Sequence, residues 1–326
     1  LALGAAAMVR KQALARRLQA VETLGAASVI CTDKTGTLTE DKMTATRVAT
    51  PGGSYKITGG GYDPAGHIEN PQGLPVRVGD DPDLAQLLET VLTCNRAHLE
   101  RDDSDGWRMI GTPTEGALVT LAYQGWCRLP AREPVAELPF SSERKRMSVL
   151  SAGEGDSAGA WVLHVKGAPD RILERGTRYR MAGKDHPLGA DDEARFTAHW
   201  EALAAEGARV IAVARRHLPN ATPPADEEDL TWLGVVALMD PPREEVRPAI
   251  AAARGAGIRV IMITGDGAAT AKAVAGMVGL EIDRVLTGAD VEEFTDEELD
   301  AALDERVLFA RTAPAHKMRL VRALQA

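Results

Sequence analysis

Asp33 closes an apolar, β-branched run and is followed by Lys34, Thr35, Gly36 and Thr37, within the stretch ICTDKTGTLTEDKM at 30 to 43. A carboxylate at the carboxyl end of a parallel strand faces the crevice where open α/β sheets take their ligands. There it can attack an electrophilic phosphorus and form an acyl phosphate, splitting one transfer into two steps. The transferring group is densely anionic, so it needs a cation and backbone donors around it. Gly36 permits a sharp turn that aims N–H groups inward. Two later strand ends offer partners. VIMITGD puts Thr264, Gly265 and Asp266 at one; VLFARTAPAHK puts Arg311 at the next and Lys317 on the helix that follows. A hydroxyl and an ammonium there neutralise the oxygens of the transferring group. An Asp at position 35 could serve as acid and then base to hydrolyse the acyl phosphate; Thr35 cannot, which favours an intermediate that persists. Taken singly these residues are ordinary cap and turn chemistry. The seven-residue string DKTGTLT is far more specific.

The elements that must position these residues are legible from pattern. Residues 6 to 20 carry apolar positions at helical spacing with Arg and Lys between them, and ASVICT (27 to 32) reads as a buried strand leading into Asp33. Between 51 and 80 the chain is rich in Gly, Pro and Asn, which is hairpin-and-loop composition; no Gly-Lys-Ser/Thr follows, so the glycines are turn chemistry and not a nucleotide loop. Helices are predicted at 83 to 100 and at 112 to 126, the second with Thr112 or Thr114 as N-cap. RMSVLSA and AWVLHVKG read as paired strands around GEGDSAG. A helix from Asp191 to Glu206 precedes the strand ARVIAVARR, and 219 to 229 is a surface loop. From 231 the pattern alternates: WLGVVALM, RVIMIT, VLTG and VLFAR as strands, with helical stretches between them and after the last. Such alternation predicts a mostly parallel sheet. The reading is therefore of one α/β domain split into 1 to 45 and 237 to 326, with a second domain, 46 to 236, inserted.

Composition narrows the function classes. The 326 residues are 44% hydrophobic, 26% charged and only 4% aromatic, with a formal net charge of -9. An acidic, aromatic-poor chain argues against nucleic acid and anionic membrane surfaces as partners. Cys31, Cys94 and Cys127 show no metal or disulfide spacing and read as buried, reduced thiols. No apolar stretch approaches the ~20 residues needed to cross a bilayer. The chain lacks an initiator Met and stops within a helical pattern, so both ends read as cuts in something larger.

On DKTGTLT, TGD, MDPPR and ARTAPAHK the chain resembles the cytoplasmic part of a P-type ATPase, whose phosphorylation domain belongs to the haloacid dehalogenase superfamily. The resemblance covers essentially the whole chain. DKTGTLT matches the family's phosphorylation signature letter for letter, which implies Asp33 as the residue phosphorylated by ATP. It implies a catalytic set of Asp33, Lys34, Thr35, Thr264, Asp266 and Lys317. It also implies Mg²⁺ held by the Asp33 carboxylate and the Thr35 carbonyl, a hinge at Asp240, and Arg311 near the ribose. PTEGAL, PFSSERKRMSV, KGAPD and ARVIAVARR resemble the nucleotide-domain motifs. They imply Glu115 near the adenine amino group, Phe140 as the stacking ring with Lys145 and Met147 nearby, Lys166 and Gly167 lining the pocket, and Arg209 reaching toward the phosphates. An aromatic face, a cation and a carboxylate suffice to orient adenine. The combination is similar to the type II transporters, the class that includes calcium and sodium pumps.

The resemblance further implies a Rossmann-like parallel sheet of haloacid dehalogenase type, shortened at its C-terminus, with an inserted α+β nucleotide-binding domain on an antiparallel sheet. Residues 1 to 25 would be the stalk from the fourth transmembrane helix of an integral membrane protein, with this portion cytoplasmic. Partners implied are ATP, a transported cation held by the membrane domain, and an actuator domain carrying a Thr-Gly-Glu loop. The sequence departs from the family where Gly267 follows TGD and where Asp41 replaces the usual Asn. It also ends before the family's GDGVNDAP segment, which supplies an aspartate for Mg²⁺ and a strand beside that of Asp33. The expectation is that the chain alone phosphorylates Asp33 poorly and that ASVICT forms an exposed edge open to self-association. Two rival readings remain: a soluble phosphohydrolase of the same superfamily, and an ATP-binding module without catalysis.

Overall fold

The computed structural model describes residues 2–10, 13, 25–102, 106–125, 132–153, 161–221 and 227–325. Its strands are β1 (Val29–Thr32), β2 (Thr44–Thr50), β3 (Gly53–Ile57), β4 (Ile68–Glu69), β5 (His98–Asp102), β6 (Gly106–Ile110), β7 (Pro134–Leu138) and β8 (Arg146–Ala152). They continue with β9 (Trp161–Gly167), β10 (Gly176–Met181), β11 (Lys184–Pro187), β12 (Arg209–Leu218), β13 (Leu230–Met239), β14 (Arg259–Ile263), β15 (Arg284–Thr287) and β16 (Val307–Ala310). The chain divides into two compact units, Leu1–Thr39 with Pro242–Ala326, and Glu40–Pro241. The fold is mixed α/β, with a parallel sheet in the first unit and a separate antiparallel one in the second.

The first unit is built on a parallel sheet of order β1-β14-β16-β15. Alternation along β14 supplies both faces. Met262 packs with Val246, Ile250 and Val274 from the helices Val246–Gly255 and Ala268–Met277. Ile261 and Ile263 pack with Leu299, Leu303 and Leu320 from the helices Asp296–Leu303 and Pro314–Ala323. Thr287 and Thr295 each close a capping box, with Asp290 and Glu298, which starts the short helices after β15. The first of these, Gly288–Glu293, had no periodic signal in the sequence. β1 lies at one end of the sheet order, and Ile30 is 40% exposed. The expectation of a buried strand there is corrected, and Cys31 is exposed with it.

The second unit centres on the sheet β4-β3-β2-β13-β12-β9-β8-β7, antiparallel along that path, with β10 added parallel to β13 and β11 beside β10. The helices Pro82–Thr93 and Pro113–Gly125 cover one face: Leu84, Leu87, Leu88, Leu118 and Leu121 pack on Val48, Val213 and Val236. The helices Pro169–Leu173 and Ala190–Ala205 cover the other, where Ile172, Phe196 and Leu203 meet Ala212, Trp232 and Val235. Sandwiched in this way, all ten residues of β13 are buried. That burial explains a misreading. A continuous apolar run resembles a strand of a parallel sheet, and WLGVVALM was expected in the strand–helix alternation; it lies in the antiparallel sheet instead.

The predicted helix at 83 to 100 ends at Thr93, and His98–Asp102 turns back as β5 to pair with β6. Strands β8 and β9 pair antiparallel as expected. Cys94 is buried, whereas Cys127, GEGDSAG after its first residue, 222 to 226 and most of the 6 to 20 helix lie outside the described residues. No helix among the described residues is long and apolar enough to cross a membrane.

Candidate active site

Asp33 stands at the carboxyl end of β1 with extended backbone, φ -78° and ψ 156°. It caps a tight turn over Lys34–Leu38, its Oδ1 accepting from the Lys34 N–H at 2.8 Å. Gly36 takes φ +71°, a left-handed conformation that few other residues adopt without strain. The turn closes where the Lys34 carbonyl accepts both the N–H and the hydroxyl of Thr39, at 3.1 and 3.2 Å. Lys317 Nζ, from the helix after β16, pairs with the other Asp33 oxygen, Oδ2. The carboxylate is thus aimed by an ammonium on one oxygen and an amide on the other, yet the Asp33 side chain stays 43% exposed. That combination suits a nucleophile that must meet an incoming anion.

A second polar set lies beside it in the same unit. Lys34 is buried and pairs with Asp266 Oδ2 at 2.7 Å. The same oxygen accepts the hydroxyls of Thr264 at 3.4 Å and Thr35 at 3.5 Å. Thr264 is itself buried, and the loops after β14 and β16 are laced together: Arg311 N donates to the Asp266 carbonyl at 2.8 Å and Thr312 N to the Thr264 carbonyl at 3.0 Å. Arg311 holds φ +51°, a strained setting for a non-glycine residue, and its side chain is exposed. The six residues singled out as catalytic therefore come together at the ends of β1, β14 and β16. Among the described residues no group of three or more His, Cys, Asp or Glu could cage a metal ion. One exposed carboxylate plus a carbonyl is nevertheless the kind of partial, hard-oxygen set that Mg²⁺ uses when phosphates complete its shell.

In the second unit, Glu115 lies in the first turn of the helix Pro113–Gly125 and pairs with Lys166 Nζ at 2.8 Å, with the two side chains 14% and 9% exposed. Burial works to raise the Glu115 carboxyl, but the Lys166 charge and hydrogen bond outweigh it, helped by Arg96 N–H and the Thr112 hydroxyl; the carboxyl ends below its usual range. Thr112 is the cap, its hydroxyl accepting from Glu115 N at 3.4 Å. Met147 sits opposite Lys166 in the β8–β9 register, and Gly167 opposite Arg146. A Cβ on Gly167 would fall 2.5 Å from the Lys145 carbonyl, so only glycine fits there. Arg209 bonds the Thr114 hydroxyl at 2.9 Å, which ties the start of β12 to the Glu115 helix. Phe140 stands apart, 61% exposed, and Lys145, also exposed, holds φ +52°. Asp240 is spent elsewhere, accepting from Lys42 N at 3.2 Å.

A family model described as P-type ATPase, cytoplasmic domain N, matches residues 83–245. The chain belongs to the P-type ATPases. It is 37% identical over 334 residues to a calcium-transporting ATPase of Bacillus subtilis (strain 168), covering 100% of this chain and 37% of that relative. To a probable cation-transporting ATPase F of Mycobacterium tuberculosis (strain ATCC 25618 / H37Rv) it is 40% identical over 341 residues, with the same 100% and 37%. To the human calcium-transporting ATPase type 2C member 1 it is 32% identical over 330 residues, 100% of this chain and 34% of the relative. The chain thus spans little more than a third of the length of these relatives.

Several groups around the sites of this P-type ATPase chain escaped sequence reading. Arg243 donates to the Gly36 carbonyl at 3.3 Å and braces the Asp33 turn. Asn95 holds the Glu115 carbonyl at 3.0 Å. Glu227 is buried among Arg144, Arg146 and Ser148. Arg243 sits inside the quoted MDPPR, so its motif was visible though its partner was not. Glu227 belongs to an acidic run that reads as solvated loop.

Proposed function

We propose that this chain is the ATP-using part of a cation pump. In this reading Glu40–Pro241 is the nucleotide-binding domain, and the unit of Leu1–Thr39 with Pro242–Ala326 is a phosphorylation domain of haloacid dehalogenase type. Phe140 offers its exposed ring to adenine, Lys166 and Glu115 line the pocket, and Arg209 and Arg311 reach the phosphates and ribose. One Asp33 oxygen then forms a bond to the γ-phosphorus while the bond from that phosphorus to the β–γ bridging oxygen breaks. ADP leaves with the bonding pair, and Asp33 becomes an acyl phosphate. In this reading Lys317 offsets charge on the transferring group, and the Thr264 hydroxyl turns from Asp266 to donate to its oxygens. Asp33 and the Thr35 carbonyl would hold Mg²⁺, which when bound neutralises phosphate charge. Thr35 provides no acid or base for hydrolysis, so the intermediate lasts long enough to be coupled to cation transport in the whole protein.

The observation that carries this reading is the convergence of Lys317 and the Lys34 N–H on the two oxygens of one partly exposed carboxylate. Two measurements test it. ATP titrated into the chain and followed by calorimetry should saturate, and Phe140→Ala and Lys166→Ala should weaken it; undiminished binding in both variants rejects the adenine pocket. In the whole protein, γ-labelled ATP should leave an acid-stable, hydroxylamine-sensitive label on Asp33; a label that survives Asp33→Asn rejects the nucleophile.

A further inference from the structure

Glu227 is 1% exposed, yet it has no role in the readings above. Its carboxylate collects three partners from the segment around Phe140: Arg144 Nη2 at 2.8 Å and Ser148 Oγ at 2.6 Å on Oε1, and Arg146 Nε at 2.7 Å on Oε2. Arg146 and Ser148 alternate on one face of β8, while Met147 between them packs with Cys94 and Val149 on the other. Two guanidinium groups brought together here, Arg146 buried and Arg144 partly so, call for an anion between them. Glu227 supplies it from a backbone held at φ +50°, a left-handed setting unusual for a glutamate, which indicates that its surroundings fix it there.

The bridge to Phe140 runs through Arg144. One end of its guanidinium meets Glu227; the other, Nη1, donates to the Pro139 carbonyl at 3.0 Å, the peptide that leads into Phe140. The Arg144 N–H donates to Ser141 Oγ at 3.2 Å and the Lys145 N–H to the Ser141 carbonyl at 2.7 Å, so the loop from 139 to 145 is closed from within. An exposed ring on a loop has no packing of its own to hold it. Here the loop is fastened through Arg144 by a charge 83 positions further along the chain.

We propose that Glu227 is a positioning residue for nucleotide binding: through Arg144 it fixes the turn that presents the Phe140 ring. This rests on the reading of Phe140 as the adenine platform. The test is a double-mutant cycle on the 326-residue chain, with ATP affinity measured by calorimetry. Phe140→Ala should lose about tenfold, the scale of one base–aromatic stack. Glu227→Gln, which keeps the shape and removes the charge, should lose about three- to tenfold in the wild-type background and close to nothing with Ala at 140. Arg144→Gln should reproduce the Glu227→Gln loss, and the two together should lose no more than either.

A Glu227→Gln loss of the same size in both backgrounds means a general structural role and overturns the proposal. So does unchanged affinity in Glu227→Gln while Phe140→Ala is weakened. If Phe140→Ala binds ATP as tightly as the wild type, the platform reading falls and this inference with it. Should Glu227→Gln fail to fold, Arg144→Gln alone decides, because it cuts the link to Pro139 and leaves Arg146 on Glu227.

Discussion

Each unit of this protein holds a lysine–carboxylate pair, made of the same groups in opposite settings. Asp33 and Lys317 are 43% and 35% exposed, whereas Glu115 and Lys166 are 14% and 9% exposed. Water and salt screen the first, and an exposed pair contributes about 0–1 kcal/mol. Under the proposed function it can open for an incoming phosphate at little cost, and its value lies in aim. The second is screened far less and is fixed further by Thr112, Arg96 and the helix start. One pair is poised for an anion to enter; the other is already part of the fold.

Breaking the exposed pair should therefore cost reaction and spare stability. Asp33→Asn should remove acyl-phosphate formation in the whole protein, a loss on the order of 10⁴ or more, with the melting temperature of the chain nearly unchanged. Labelling from γ-labelled ATP and calorimetric melting read the two halves. Lys317→Met should lose about 10²–10³ in the rate of labelling, the scale of one removed charge-stabilising donor. A melting temperature that falls sharply in either variant would erase the contrast between the pairs.

Acid should act on the second unit. His164 is buried between Ser151 and Thr90, at 3.1 and 3.0 Å, and is held down to about 3, first by burial and then by the charges of Arg132 and Arg215. Its unfolded form takes a proton near its ordinary value of about 6.5 and the folded form does not. Stability thus falls as pH drops from about 6.5 toward 3, at up to about 1.4 kcal/mol per pH unit. The depressed Glu115 adds in the same direction: its contribution is present above the unfolded value and lost as pH falls through the folded one. The unfolding free energy from urea titrations should therefore fall between pH 7 and 4, and His164→Gln should flatten that dependence.

Breaking the buried pair, unlike the exposed one, should cost stability as well as nucleotide binding. Lys166→Met leaves Glu115 facing low dielectric and should destabilise its unit by about 1–3 kcal/mol, read by urea melting. The smallest effect sharpens the contrast at the thiols. Cys94 is buried and pushed up to about 12, chiefly by burial, so a maleimide should spare it in the native protein while modifying the exposed Cys31. Peptide mapping reads both sites.

What the sequence made legible was whatever short-range pattern controls. The strands and most helices after 240 announce themselves by alternation, and DKTGTLT marks its own turn. What stayed hidden depends on distant partners. β13 looked like a parallel strand because burial on both faces erases the polar alternation that would have given it away. His98–Asp102 continued an apparent helix because the turn at Asn95 is set by contacts with the next helix. The Lys34–Asp266 pair and the Glu227 cluster join residues more than 75 positions apart, and no local spacing reports them.

The placement of β13 also bears on how the protein is made. β2 pairs with β13, but Leu230 follows Thr50 by 180 positions, so on a ribosome adding about 5–20 residues per second β2 waits roughly 10–40 s for its neighbour. β1 waits longer still for β14. Until Met239 and Ile263 have emerged, β1 lacks its neighbour β14 and β2 has only β3 beside it, so the nascent chain carries two strand edges still open to pairing.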